Sequence, residues 1–176
     1  WNKMVGLRKG HCYSKLKRAY TRRSKVRGKG YIKTIPQNKI VRYVTGDQKR
    51  QFEFRIELVA KQDIQIRHNA LESCRIIVNR RLNKVAGADY LFRLHVYPHH
   101  ILRENKMLAG AGADRMQKGM QKSFGRPIGL AAQVKKWQTV FSVLVNKNKI
   151  DVAKSALHMA SPRMPGRYSI NIEEIK

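Results

Sequence analysis

Acidic side chains are scarce in this sequence of 176 residues, which has 11 Asp and Glu against 38 Lys and Arg. None of the acidic residues precedes Asp47, whereas fourteen Lys and Arg do, so the first quarter of the chain is a cationic arm. A formal net charge of +27 repels itself in a compact fold unless anions lie close to it. The sequence therefore predicts a polyanionic partner, and the phosphates of RNA or DNA fit this charge best.

Long apolar runs are also missing. The sequence has no uninterrupted apolar stretch of about 18 residues, the length that indicates a membrane-spanning helix. It has no basic amphipathic helix with flanking Trp or Phe anchors either. The first nine residues carry three positive charges with no apolar segment behind them, which differs from the pattern of a secretory signal. We therefore expect no membrane partner.

The chain has only two cysteines, Cys12 and Cys74, and no CxxC spacing. This pattern fits neither a disulfide framework nor a structural zinc site. It predicts a protein of the reducing cytoplasm. Cys74 falls on the apolar face of a predicted helix and is expected to be a small buried hydrophobe.

Catalytic motifs are missing as well. The six histidines are scattered, and the sequence has no triad, no HExxH helix and no carboxylate pair. Gly110 and Gly112 begin like a dinucleotide fingerprint, but the third glycine is missing. The nearest approach to a metal site is His99, His100 and Glu104, which leaves a metal-dependent RNA-processing enzyme as an alternative. The main expectation is no catalytic residue, no metal and no cofactor.

Apolar residues make up 42% of the chain, enough for one folded domain with its own core. Alternation between apolar and polar residues predicts half-buried strands, and a continuous apolar run predicts a central strand. Strands are predicted at residues 39–44, 52–59, 64–66, 90–96, 130–134, 137–145 and 168–172. Among them, 52–59 is expected to have one solvent-exposed face that includes Glu57, and 137–145 is expected to be central.

Two segments show helical spacing. Asn69 is positioned to cap the first helix, Glu72 to complete a capping box, and Gly87 to end the helix. The apolar stripe of this helix consists of Leu71, Cys74, Ile77, Val78, Leu82 and Val85. A second helix is predicted at about residues 150–160. Together these patterns predict an α+β fold, a compact two-layer single domain of residues 1–176 with one mixed sheet and two main helices, and no homo-oligomer.

Two basic segments lie outside this pattern. Residues 1–33 show no sustained period and are predicted to be an extended arm that orders on its partner, with interleaved tyrosines that can stack on unpaired bases. Residues 99–129 are predicted to be a projecting, glycine-rich basic loop. About 30 residues without a sustained strand or helix are unusual inside a compact domain unless the loop has a function.

Residues 113–121 of this loop favour a short helix with Arg115, Lys118 and Lys122 near one face. Flexible cations on a projecting loop reach phosphates that the domain body cannot reach. A free-standing RNA-binding regulator shares this charge and stays a second alternative, although the chain lacks an RRM or KH signature.

Several segments of the chain resemble one protein family. In chain order they are CYSKLKRAYTRR, YIKTIPQNKI, QIRHNALESCRIIVNRRL, RLHVYPHHILRE, NKMLAGAGADRMQKGMQKSFGRPIG and KSALHMASPRMPGRYSI. They resemble the universal large-subunit ribosomal proteins numbered L-sixteen in bacteria and L-ten-e in archaea and eukaryotes. The likeness is to the archaeal and eukaryotic branch, and it extends over nearly the whole chain.

The resemblance implies a structural constituent of the large ribosomal subunit that acts in translation in the cytoplasm and is not an enzyme. It also implies three partners: large-subunit rRNA, A-site tRNA near the peptidyl-transferase region, and neighbouring large-subunit ribosomal proteins. The side chains expected to bind rRNA are Arg8, Lys9, Lys15, Lys17, Arg18, Arg22, Arg23, Lys25, Arg27, Lys29, Lys33, Arg75, Arg80 and Arg81. The loop side chains expected near tRNA or rRNA are Arg103, Lys106, Arg115, Lys118, Lys122 and Arg126. The sequence departs from the family at Trp137, where glycine is usual, and this departure bears on the local backbone geometry or packing.

Overall fold

The computed structural model of the chain describes residues 7–16, 34–105 and 125–175. Within these ranges the chain forms two antiparallel sheets and two α-helices, which confirms the α+β class and the two main helices. The elements are, in chain order, β1 (Val44–Gly46), β2 (Phe54–Ala60), β3 (Ile64–Arg67), α1 (His68–Ala86), β4 (Leu91–Leu94), β5 (His100–Glu104), β6 (Arg126–Val134), β7 (Thr139–Val145), α2 (Ile150–Ala160) and β8 (Tyr168–Glu174).

Strand β7 lies in the middle of the larger sheet, whose strand order is β1-β4-β7-β2-β8. Its side chains are apolar on both faces, and Val140, Phe141 and Val143 are fully buried. Phe141 stacks on Phe92 of β4, with the ring centroids 5.5 Å apart. Helix α2 packs on this sheet against β2, β7 and β8. The prediction of a central strand is therefore confirmed for Thr139–Val145, whereas Trp137 and Gln138, predicted to begin it, lie in the preceding turn.

Strand β2 is more deeply buried than its alternating sequence predicts. It pairs with β7 on one side and β8 on the other. Glu57, expected on a solvent-exposed face, is only 8% exposed. Its carboxylate forms an ion pair with Arg55 and accepts a hydrogen bond from Thr139 Oγ1 at 2.8 Å. The prediction of a solvent-exposed face is therefore wrong at Glu57. Its charge is satisfied by Arg55 and Thr139, and this permits its burial.

The smaller sheet has the strand order β3-β6-β5. All strand pairs among the described residues are antiparallel, so two antiparallel sheets replace the one mixed sheet that the sequence predicts. Strands β5 and β6 also overlap the predicted loop, residues 99–129, and both ends of that segment are strand. The physical reason is packing: Ile101, Leu102 and Leu130 are buried here, but such short apolar groups show no clear period in the sequence.

Helix α1 begins without the predicted capping box. The backbone of Arg67, the residue before the helix, is extended because it still pairs with Ala131 of β6, and the helix starts directly at His68. Asn69 therefore lies inside the helix, and its buried Oδ1 has no hydrogen-bond partner among the described residues. Gly87 ends the helix with a φ of 63°, as predicted.

The apolar stripe of α1 packs against α2. Four of its predicted members, Leu71, Cys74, Val78 and Leu82, are fully buried, whereas Val85 near the last turn is 48% exposed. The Cys74 thiol donates to the carbonyl oxygen of Ala160 at 3.4 Å, and burial raises its pKa to about 12. Cys74 is thus the buried small hydrophobe that the sequence predicts. In the described ranges no helix has the length and hydropathy needed to cross a membrane.

Gly46 at the end of β1 should be the least replaceable of the described glycines. Its φ is 106°, and a Cβ at this position would lie 2.1 Å from the carbonyl oxygen of Tyr90. We expect Gly46→Ala to lower the free energy of unfolding by about 2–4 kcal/mol, from backbone strain and steric overlap together. Chemical denaturation of the purified chain measures this change.

The matched control is Gly10→Ala. A Cβ on Gly10 would meet its nearest neighbour, an Arg67 nitrogen, at 3.6 Å, which is ordinary van der Waals contact. This substitution should change the free energy of unfolding by no more than about 0.5 kcal/mol. Equal losses for the two variants would contradict the steric argument.

Candidate nucleic-acid interface

The root of the predicted basic loop is the antiparallel pair of β5 and β6. A Cβ built on Gly125 would lie 2.8 Å from the carbonyl carbon of Glu104 and 3.0 Å from the nitrogen of Asn105. The chain entering the loop and the chain leaving it thus approach too closely for a side chain on Gly125. Asn105 and Gly125, the described residues on either side of segment 106–124, therefore lie side by side at the end of the β5–β6 pair.

The six predicted loop cations fall into two groups. Arg103 and Arg126 lie on the root strands, with Arg103 half-buried and Arg126 exposed. The other four lie outside the described residues, as does the predicted helix 113–121: Lys106, Arg115, Lys118 and Lys122.

Residues 7–16 of the predicted arm pack on the smaller sheet. The backbone N–H of Gln65 donates to the carbonyl oxygen of Ser14 at 3.0 Å, and the Gln65 side-chain amide donates to the carbonyl oxygen of Tyr13 at 2.8 Å. Gln65 belongs to β3, an edge strand of that sheet, so the arm covers backbone groups that would otherwise be open. This part of the arm is attached to the body rather than extended away from it.

Arg8 connects the arm to the root of the loop. Its Nε donates to Glu104 Oε1 at 2.8 Å, and its carbonyl oxygen accepts a hydrogen bond from Arg67 Nη1 at 2.9 Å. The Arg67 guanidinium also lies over the ring of Tyr13, 5.5 Å from its centroid. Arg8 is therefore placed to neutralise a half-buried carboxylate of the body, a role that the sequence does not predict.

The remaining arm cations differ in what the structure describes. Lys9 and Lys15 are exposed on the packed segment. The others lie outside the described residues: Lys17, Arg18, Arg22, Arg23, Lys25, Arg27, Lys29 and Lys33.

Three predicted rRNA contacts lie on α1 and have different environments. Arg75 donates two hydrogen bonds to Glu72, at 2.9 and 2.6 Å, so its charge is largely satisfied within the helix. Arg80 is exposed. Arg81 is half-buried, and its Nε finds no hydrogen-bond partner among the described residues. Of the three, Arg80 is the side chain most accessible to a phosphate.

Arg80 shares a cleft with two cations, Lys39 and Arg163, that are not among the predicted rRNA contacts. The cleft has a volume of about 490 Å³ and is lined by Leu7, Lys39, Asn69, Glu72, Ser73, Ile76, Ile77, Arg80 and Arg163. Arg163 is fixed at its edge by a hydrogen bond from Nη1 to Ser73 Oγ at 2.7 Å. Lys39 and Arg163 come from distant parts of the chain, so no local pattern in the sequence links them to Arg80.

Two buried histidines lie beneath the root of the loop. His68, the first residue of α1, is 5% exposed, and His100 on β5 is 6% exposed. Nδ1 of His68 lies 3.4 Å from the backbone nitrogen of Lys39, which donates to it. On the other side of the ring, Nε2 lies 3.3 Å from the position of a Cβ on Gly129, so β6 passes directly over it.

Burial lowers the pKa of both histidines. The positive charges of Lys39 and Arg67 lower the pKa of His68 further. His99 and Arg103 lower the pKa of His100 in the same way. Both rings are therefore held neutral near neutral pH. Both rings are packing groups of the loop root, and His68 also accepts a hydrogen bond from Lys39.

The metal-site alternative gains no support from the geometry. No group of three or more His, Cys, Asp or Glu residues among the described ranges is placed to hold a metal ion. Nδ1 of His99 lies 3.2 Å from the carbonyl oxygen of Tyr97, and Glu104 is engaged by Arg8. His99, His100 and Glu104 thus have separate structural roles.

Comparison with known proteins identifies the family. The model of the family described as "Ribosomal protein L16p/L10e" matches residues 16–171. The chain belongs to this family. The large ribosomal subunit protein uL16 of Methanococcus maripaludis is 47% identical over 174 residues, which cover 98% of the chain and 97% of that relative. The uL16 proteins of Metallosphaera sedula and Sulfolobus acidocaldarius are each 44% identical, over 97% and 96% of the chain and 96% and 95% of their own lengths.

Membership of the L16p/L10e family confirms the resemblance inferred from the sequence motifs. As a member, the chain is a structural constituent of the large ribosomal subunit in the cytoplasm and not an enzyme. The archaeal relatives also agree with the branch that the motifs indicate. The candidate interface is accordingly one of a ribonucleoprotein that takes part in translation.

The two buried histidines predict a stability that falls in mild acid. Their pKa values are lowered in the folded chain, so below about pH 6.5 the unfolded chain binds more protons than the folded one. The contribution of the two neutral histidines to the free energy of unfolding is therefore fully present above about pH 6.5, and it is lost as the pH falls below that value. We expect the melting temperature of the purified chain to decrease between pH 7.5 and pH 5.5, as measured by circular dichroism.

The double variant His68→Gln and His100→Gln should show a shallower decrease over the same range, because neither site then takes up a proton on unfolding. The exposed His158→Gln is the matched control and should keep the slope of the parent chain. An unchanged slope in the double variant would assign the pH dependence to other groups.

Proposed function

We propose that this chain binds large-subunit rRNA through its basic arm, the exposed cations of α1 and its basic loop, and that it helps to shape the A-site tRNA path near the peptidyl-transferase region. The observation that carries the proposal is the close root of the loop, where the pairing of β5 and β6 places Asn105 and Gly125 side by side. The family and the net charge of +27 support an RNA partner for the cations on that segment.

The loop root supports a positioning role because it is firmly mounted. Ile101 and Leu102 of β5 are buried, and Glu104 at the end of that strand is fixed by Arg8 of the arm. A loop with both ends on a rigid mount keeps its base fixed relative to the body. We infer that the body sits on rRNA while the loop contacts nearby rRNA and the tRNA.

Phosphate contacts make the affinity for rRNA depend steeply on salt. Each neutralised phosphate contributes about 0.7 to 0.9 to the slope of log affinity against log salt concentration. Arg80→Gln should lower this slope by about one such increment and weaken binding of large-subunit rRNA a few-fold at moderate salt. Filter binding with the full chain across a salt series measures both quantities.

Lys154→Gln is the control for this experiment. Lys154 is exposed on α2 and is not one of the side chains predicted to bind rRNA. A substitution there should leave the slope as it is in the parent chain. If both variants change the slope equally, α1 is no preferred contact surface, and if the slope of the parent chain is flat, the electrostatic mechanism fails.

The role in the A-site path is tested by removing the loop without disturbing its root. Because Asn105 and Gly125 lie side by side, residues 106–124 can be replaced by Asn-Gly, a two-residue connection that suits an antiparallel pair. We expect this variant to cosediment with large subunits and to reduce A-site tRNA binding by about ten-fold or more, since the loop cations would supply several charge-assisted contacts. Binding of labelled tRNA to reconstituted ribosomes measures the effect.

P-site tRNA binding on the same ribosomes provides the control and should change little. If A-site binding is preserved in particles that contain the shortened chain, the loop has no part in the tRNA path. If the chain with its native loop fails to remain on large subunits after a moderate salt wash, the rRNA proposal itself is wrong.

A further inference from the structure

Trp137 is presented to solvent in a conformation that its side chain disfavours. Its side chain is 64% exposed, and its φ is 66°. In the described ranges it is the one non-glycine residue with a positive φ. A bulky residue in this region is held there against a steric preference, and such positions cluster at functional sites.

The turn that carries Trp137 is fixed by hydrogen bonds. The backbone N–H of Trp137 donates to the carbonyl oxygen of Ala60 at 2.7 Å. On either side, Lys136 N donates to Asp63 Oδ1 at 2.7 Å, and Lys135 N donates to Gln138 Oε1 at 2.9 Å. The backbone is thereby anchored to the end of β2, while the indole ring points away from the core. The ring is pre-positioned for a partner.

The surroundings of Trp137 are cationic. Lys136 Nζ lies over the indole ring, 5.4 Å from its centroid, and Lys135 is exposed beside it. Two more exposed cations lie near the turn. Lys61 follows Ala60, which accepts the backbone N–H of Trp137, and the backbone N–H of Lys61 donates to the carbonyl oxygen of Arg167. Asp63, which precedes β3, contacts this turn by accepting the backbone N–H of Lys136. An aromatic face among cations matches a nucleotide, whose base stacks and whose phosphate is anionic.

A protein partner fits this turn less well. The centres of protein interfaces are depleted of charged residues and are built from contiguous apolar side chains. Here the indole stands between Lys136 and Gln138, both exposed and polar.

The turn that carries Trp137 lies apart from the root of the loop, because it connects β6 to β7 at the other end of β6.

We propose that Trp137 stacks on an unpaired base of large-subunit rRNA, with Lys135 and Lys136 contacting the adjoining phosphates. The proposal rests on the proposed rRNA partner and adds a contact outside the arm, the face of α1 and the loop.

Trp137 reports on its own environment by fluorescence. The chain has two tryptophans, so the variant Trp1→Phe leaves Trp137 as the sole indole. The titration uses large-subunit rRNA at a salt concentration where an unrelated RNA of equal length no longer binds. We expect the indole emission to be quenched on binding and the ring to become protected from acrylamide. Emission and acrylamide access that are unchanged in the bound state would overturn the proposal.

Two substitutions separate stacking from stability. Trp137→Gly suits the positive φ, so it should keep or raise the melting temperature while weakening rRNA binding by about ten-fold, the effect of losing one stacked base. Trp137→Phe retains an aromatic face and should bind within about three-fold of the parent chain. Equal affinity for Trp137→Gly and the parent would also overturn the proposal.

The outcomes distinguish this inference from the proposed function. If Arg80→Gln lowers the salt slope while Trp137→Gly binds as the parent does, rRNA binding stands and stacking fails. If the parent chain does not bind large-subunit rRNA at all, both fail together. If quenching occurs only when neighbouring ribosomal proteins are added without RNA, Trp137 contacts protein and the stacking proposal is wrong.

Discussion

Repulsion among 38 basic side chains, with only 11 acidic ones to oppose it, constrains how this body can fold. Several of the few carboxylates pair with a cation, some within one strand or helix and others, such as Glu104 and Asp89, between distant parts of the chain. The pairs are Arg8 with Glu104, Arg55 with Glu57, Arg75 with Glu72, and Arg50 and Lys149 with Asp89. Exposed pairs of this kind contribute at most about 1 kcal/mol. Their importance is local, because they satisfy charges that are partly buried. Other cations, such as Arg80 and Lys15, stay exposed on the protein surface.

The smaller sheet brings three functional parts into contact. The arm lies on β3 through Gln65, the loop leaves from β5 and β6, and α1 starts directly from the end of β3. The ion pair of Arg8 with Glu104 joins the first two of these parts. The three segments that we propose to contact RNA thus start from one small sheet, which keeps their attachment points in a fixed arrangement.

The sequence predicts elements whose own residues determine their burial, such as β7 with its continuous apolar run and the end of α1 at Gly87. It predicts only residues 130–134 of β6, and it misses β5 and the first half of β6, because their few apolar residues become a pattern only when the two strands pair. Glu57 illustrates the same limit, since its burial depends on Thr139 of a neighbouring strand. At the interface, composition identifies the basic arm and loop, whereas the meeting of Arg80 with Lys39 and Arg163 requires the tertiary fold.

The contact between Gly125 and Glu104 has a consequence for evolution. Once the root is closed, lengthening the connecting segment costs little, since each doubling of a flexible loop adds only about 0.6 kcal/mol of closure entropy. Residues can therefore be inserted into or deleted from segment 106–124 at little cost to the stability of the fold. Changes at the root itself have no such freedom, because a Cβ on Gly125 would collide with the opposite backbone. The stability of the fold thus restricts substitutions at the root, whereas any restriction on residues 106–124 comes from the partners that we propose for them.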